Sequence, residues 1–226
     1  MCNDRYSLSR EQNMFLAKKL TKQTIYFGAR LGDANVTFPR TETPLNGVNV
    51  GEVSLDDIQI VLNLRDGWKY LLNSVDEVLN IDYICKINSL VSRNESLEWG
   101  VLRKGNVSIS GTDYVPPIPN KETAENELSD ILSDSSLSDT EKASKLFLWE
   151  AKSQLFWDGN KRTALLAANK FLIQHGRGIF SINDSKMQDF SIMLSDFYTY
   201  GDYGKAVDFI CTRCLLGIDF PTEANG

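Results

Sequence analysis

A single histidine, His175, stands in this chain, and its four cysteines are scattered: Cys2 and Cys85 are isolated, while Cys211 and Cys214 form a Cys-x-x-Cys. Zinc needs about four side-chain ligands, and no second cysteine or histidine pair accompanies this one. The same spacing is one helical turn. The cysteines therefore read as buried helix residues in a reducing compartment, not as a metal site or a disulfide framework. Long apolar runs are lacking too; none approaches the roughly 18 residues that cross a bilayer. The first residues, Met1-Cys2-Asn3-Asp4-Arg5, are polar and lead into no signal-like stretch, so a cytoplasmic protein without a membrane partner is expected. Positive charge is short. With 24 Lys and Arg against 30 Asp and Glu, the net charge is -6, which excludes a general nucleic-acid binder but not a local basic pocket.

What is present is ordinary for a folded domain. Hydrophobic content of 42% and charged content of 24% suit one well-buried core, and the whole of 1–226 reads as one domain. Residues 8 to 31 carry a helical pattern that opens on Ser9, with Gln12 at the capping-box position. Residues 32 to 53 form a long loop marked by Gly32, Pro39, Pro44, Gly47 and Gly51. Ser54 or Asp56 caps a second helix, and Asp76 starts a third that runs through Val91. These make an N-terminal helical part of about 8–95. From about residue 98 the period changes to two: Trp99 to Arg103, a turn at Lys104-Gly105-Asn106, then Val107 to Gly111, read as a short β-hairpin over about 98–116. Pro116-Pro117-Ile118-Pro119 ends it as a stiff linker. Helices follow at about 121–134, 139–155, 160–175, 184–199 and 203–217. Glu122, Glu125, Glu127, Asp130 and Asp134 mark a solvated face of the first of these. The expected class is mainly α, a helical bundle with a small β appendage.

The chemistry concentrates in Phe156-Trp157-Asp158-Gly159-Asn160-Lys161-Arg162-Thr163-Ala164. Apolar residues at helical spacing begin at Ala164, so Asp158 or Asn160 is expected to cap a helix there. The first N–H groups of a helix lack internal partners and carry the positive end of its dipole. Glycine beside them lets a phosphate approach closely, Lys161 and Arg162 add charge, and Asp158 could hold Mg²⁺ on the phosphates. An ordinary capped helix with a solvated basic turn explains the same pattern. Trp157 either lines the pocket or packs in the core, the core being preferred.

The stretch resembles the Fic/Doc signature, His-x-Phe-x-Asp/Glu-Gly-Asn-Gly/Lys-Arg, with Phe156, Asp158, Gly159, Asn160, Lys161 and Arg162 in register. Residues 100–117 resemble the family's flap, and the likeness extends over roughly 20–215, including Tyr26 to Thr37, Thr41-Glu42-Thr43 and Asp202 to Ala206. It implies a Fic-type helical bundle that moves AMP from ATP to a protein hydroxyl. Relatives with lysine at the place of Lys161, as in Doc toxins, can transfer a phosphate instead. The resemblance assigns Mg²⁺ to Asp158. It assigns nucleotide phosphates to Gly159, Asn160, Lys161 and Arg162, with Asn160 and the loop backbone as anion hole. Val107, Ser108 and Ile109 of the flap would hold the target protein by main-chain pairing.

The family's histidine falls on Gln154, and its usual proline on Leu155. A carboxamide takes up no proton near neutral pH, so the general base is missing, a loss of about 10²- to 10⁴-fold. His175 is no substitute, since the helix carries it about 20 Å from residue 160. A second arginine common in the family is Leu165 here. The serine and glutamate of its inhibitory helix fall on Gly28 and Gly32, with Asp33 offset by one. Glutamate-type autoinhibition is therefore not expected. The readings are an AMP-transferring protein, impaired or inactive, and a catalytically silent module that binds a nucleotide or a protein; an antitoxin-like partner of an active relative is a third.

Overall fold

The computed structural model describes residues 2–37, 41, 46 and 53–218. Most of the loop expected at 32–53 lies outside these residues, as do Glu42 and Thr43.

Nine α-helices are present among the described residues: α1 (Arg10–Lys19), α2 (Thr21–Leu31), α3 (Leu55–Asn73), α4 (Ile81–Val91), α5 (Lys121–Ser133), α6 (Asp139–Ser153), α7 (Asn160–His175), α8 (Met187–Tyr200) and α9 (Tyr203–Arg213). The mainly α expectation holds. One helix expected at 8–31 is two. The Ser9–Gln12 capping box opens α1 as read. The break falls at Leu20, and Thr21 turns its hydroxyl back onto the Ala17 carbonyl at 3.0 Å, a contact that bends helices. The third helix starts later than Asp76, because Asn80 caps it through the Tyr83 N–H at 2.8 Å. The last ends at Arg213, and Leu215–Leu216 (β2) pairs antiparallel with Ile179–Phe180 (β1).

That pair is the sole β ladder among the described residues. The 98–116 segment, expected as a hairpin, is irregular and makes no ladder; its backbone instead bonds outward, Arg103 N–H to the Leu155 carbonyl at 3.0 Å. A two-stranded ribbon standing alone is marginal in water, and attachment to a helix end wins here.

The core is one continuous cluster to which every helix contributes. Its axis is α7, buried on nearly all sides, packed along α6 and against α4. Phe27, Phe147, Phe180 and Phe190 interlock beside it with centroids 4.9–6.2 Å apart, the edge-to-face range aromatic rings prefer. The helix pair α6–α7 thus presents the 154–159 connection at one end of a rigid unit. On α5 the acidic face is only partly solvated: Glu125 accepts from the Ile81 N–H and Glu127 from the Trp149 indole. The cysteines are free; Cys211 and Cys214 are buried and Cys2 and Cys85 half-buried, while Cys2 before α1 and Cys214 just past α9 lie on no helix, contrary to the reading of all four as buried helix residues.

Candidate functional site

The connection between α6 and α7 is a tight loop closed by its own side chains. Gln154 ends α6 in the left-handed region, φ 47° and ψ 56°. Gly159 precedes α7 with φ 74°, and a Cβ there would stand 2.8 Å from that of Ser92, so glycine is required. Neither Asp158 nor Asn160 caps α7, contrary to the sequence reading. The cap residue is Gly159, which has no side chain, and the N-terminal end of α7 stays uncapped by any side chain. That leaves the partial positive charge of the helix start without a bond from a cap-residue side chain.

Asn160 is buried and works inside the loop. Its carbonyl oxygen accepts the Phe156 N–H at 2.8 Å, and its amide donates to the Phe156 carbonyl at 2.9 Å and to Gln154 Oε1 at 3.1 Å. Gln154 Nε2 donates to the Ala151 carbonyl at 2.7 Å. Both ends of the Gln154 carboxamide are therefore engaged, and neither can exchange a proton at neutral pH. The sequence reading assigned Asn160 to an anion hole; its side chain is instead engaged within the loop, by Phe156 and Gln154.

Arg162 is only 3% exposed and bound on three sides: Nη1 to the Val91 carbonyl at 2.8 Å and to Glu95 Oε2 at 2.7 Å, Nη2 to Asp158 Oδ1 at 3.2 Å. Glu95 is itself held, its Oε1 accepting from Asn63 at 2.7 Å, and Gln59 orients that amide. Gly32 packs on this guanidinium; a Cβ would sit 3.0 Å from Arg162 Nε. Lys161 points outward to Asp33 at 3.4 Å, a pair whose aspartate is 89% exposed and therefore weak. Asp158 is 49% exposed. Its Oδ1 accepts from the Gly159 N–H and Arg162, and its Oδ2 has no partner among the described residues. One carboxylate oxygen open beside an uncapped helix end suits Mg²⁺, which is held by one or two carboxylates and otherwise by phosphates and water. No cluster of three or more metal-ligating side chains exists among the described residues, so phosphates would complete such a shell.

Three contributors escaped sequence reasoning. Asn88 of α4 donates to the Asp158 carbonyl at 2.9 Å and to Thr163 Oγ1 at 3.1 Å, and its Oδ1 accepts from Gly100 N–H at 2.8 Å. Glu95 lies in irregular chain after α4, where no periodicity marks it. Arg103 is buried, with Nε donating to the Gln154 carbonyl at 2.6 Å and Nη2 to the Pro117 carbonyl at 2.6 Å and that of Pro116 at 3.2 Å; Nη1 reaches the Gly105 carbonyl. Burial pushes its pKa down. It pins both arms of the 101–117 segment to the motif loop. Val107 and Ser108 stay at the surface of that segment, and Ile109 turns into the core. Trp157 is half-buried rather than core: it packs under Gly105, and its indole reaches Glu98 at 3.4 Å. His175 lies at the far end of α7, stacked on Phe171, away from the loop.

A helical fold with an uncapped, glycine-opened loop between two core helices and a strap tied across it defines a class. Residues 78–172 match the Fic/DOC family. That match takes in the motif loop and the strap, and the rest of the chain lies outside it. Among solved structures, it is similar to a Fic domain-containing signalling protein from Bacteroides thetaiotaomicron, with a TM-score of 0.74 and 18% identity over 91% of this chain and 87% of that one. It also resembles Fic-1 from C. elegans (TM-score 0.70, 18% identity, 90% and 69% covered). A Fic family protein from Desulfovibrio desulfuricans is similar too (0.69, 17%, 92% and 66%), so the chain spans about two thirds of the latter two. No curated protein matches it.

Proposed function

We propose that the motif loop binds the phosphates of an ATP-like nucleotide, and that transfer of AMP to a protein hydroxyl is impaired or abolished by Gln154. The observation that carries this is the closed bond circuit of Gln154: its carboxamide is fixed between the Ala151 carbonyl and Asn160, at the place where the family has its histidine. A hydroxyl entering the loop would meet no group able to take its proton. The binding half rests on the uncapped start of α7, with Lys161 facing out beside it.

In this reading Asp158 Oδ2 and the nucleotide phosphates would hold Mg²⁺, whose part is to neutralise phosphate charge. Lys161 leaves exposed Asp33 for a phosphate at little cost. The strap at 101–117, tied down by Arg103, would lay a target segment over the loop by its unpaired main-chain edge. A second reading, the catalytically silent binding module, draws on Arg162: its guanidinium already holds Glu95 and Asp158 and is not open to phosphate. Phosphate transfer of the Doc kind, from the lysine at 161, meets the same missing base.

Intact mass after incubation with Mg-ATP, for the native protein and Gln154→His, tests both. An adduct of AMP mass in the histidine variant alone is the expected result. Labelling of the native protein would show that Gln154 suffices and overturn the impairment. Calorimetry with ATP and with ADP separately decides whether the loop binds phosphates at all.

A further inference from the structure

A groove of about 420 Å³ runs between α8 and α9, outside the motif loop. Phe197, Met193 and Phe209 line it, and Ile192 and Tyr200 stand at its rim, 54% and 78% exposed. Ile192, Asp196 and Tyr200 follow at four-residue spacing, so one face of α8 offers solvent two large apolar groups with a carboxylate between them. Nothing among the described residues covers it. Four charged residues line the groove, Asp189, Asp196, Asp202 and Lys205, and three are acidic. Asp189 meets Arg213 at 3.4 Å and Asp202 meets Lys205 at 3.5 Å, long exposed pairs that a partner's cations can replace at little cost. Asp196 has no ion-pair partner among the described residues.

We propose that this groove docks an amphipathic, basic helix of a partner protein: aliphatic or aromatic side chains at i, i+3 or i+4 and i+7 in the groove, lysine or arginine over the carboxylates. α8 is 14 residues long, about 21 Å at the helical rise, which sets the length of the partner helix. A second copy of this chain suits the groove less well. A two-fold axis through it would set Asp196 and its neighbours against the same carboxylates. The groove is not isolated from the motif. Lys152 of α6, two residues before Gln154, lies 4.7 Å from the Tyr114 ring of the strap and 5.2 Å from the Phe197 ring in the groove. A partner seated there lies beside the strap. The inference does not depend on nucleotide chemistry.

The test uses two fluorescent peptides of the length of α8, one amphipathic in leucine and lysine, the other in leucine and glutamate, with the full chain and anisotropy as the readout. The leucine–lysine peptide is expected to bind at least about tenfold more tightly than the leucine–glutamate one. Ile192→Asp and Asp196→Lys, both surface changes, are each expected to weaken it by a similar factor, while Asp130→Lys on α5 leaves it unchanged. Equal binding of the two peptides, no binding of the basic one, or binding indifferent to Ile192→Asp and Asp196→Lys would overturn the proposal. So would a concentration-dependent dimer in sedimentation that Ile192→Asp dissolves, since a second copy would then own the groove. ATP binding is expected to survive both groove variants, so loss of one activity does not imply loss of the other.

Discussion

Buried charge governs the site at the level of single residues. Arg162 and Glu95 are withdrawn from water together, and removing one strands the other, which typically costs about 3–5 kcal/mol. Arg162→Ala is therefore expected to lower the unfolding free energy by that order, read from the shift of the urea midpoint. An unchanged midpoint would mean that the buried pair contributes nothing net to the fold. Glu95→Gln keeps the shape and releases the guanidinium from its strongest partner, and tighter ATP binding by calorimetry is expected. Glu150, one turn before Gln154, is fully buried with neither oxygen hydrogen-bonded among the described residues, and burial raises its pKa well above the usual carboxylate range. A raised folded-state pKa means that the native protein keeps a proton the unfolded chain releases. Stability then falls as pH rises from the unfolded value of about 4.3, by up to about 1.4 kcal/mol per pH unit. Glu150→Gln should thus gain on the native protein in thermal midpoint between pH 5 and 8. Parallel curves would show that the carboxyl is ionised in the fold.

At the level of elements, the strap over the motif is held by one side chain instead of a ladder. Arg103→Ala leaves the carbonyls of Gln154, Gly105, Pro116 and Pro117 without their donor, at about 1–3 kcal/mol. Hydrogen exchange should rise at residues 101–117 while α7 keeps its protection. Uniform acceleration along the chain would assign Arg103 to global stability alone. Little of this was legible beforehand. Alternation from Trp99 to Gly111 suggests paired strands, but period two does not say whether such a segment pairs with itself or is held by another element. Helix starts were more readable, because Ser9 and Ser54 cap within three residues of their own hydroxyls.

At the level of the whole molecule, α7 is the buried axis on which the other helices pack, and the phenylalanine cluster beside it joins α2, α6, α8 and β1. Phe147→Ala is expected to destabilise by about 3–5 kcal/mol and lower the thermal midpoint with a single transition. Two separated transitions would show that the core is not one cooperative unit. No described helix is long and apolar enough to cross a membrane.

By itself the chain's order of residues determined the helical class, the place of the loop at 154–162 and the carboxamide at its start. Those depend on local chemistry: helical spacing, capping side chains, and the residue type at each position of the loop. Only the tertiary structure decided what the loop's side chains do. Asn160 bends back to Gln154 and Phe156, Arg162 reaches Val91 and Glu95 more than sixty residues away, and Arg103 ties the strap to the end of α6. Such partners are chosen by which elements pack together. A buried donor must find an acceptor wherever the fold brings one, and no spacing along the chain records that choice.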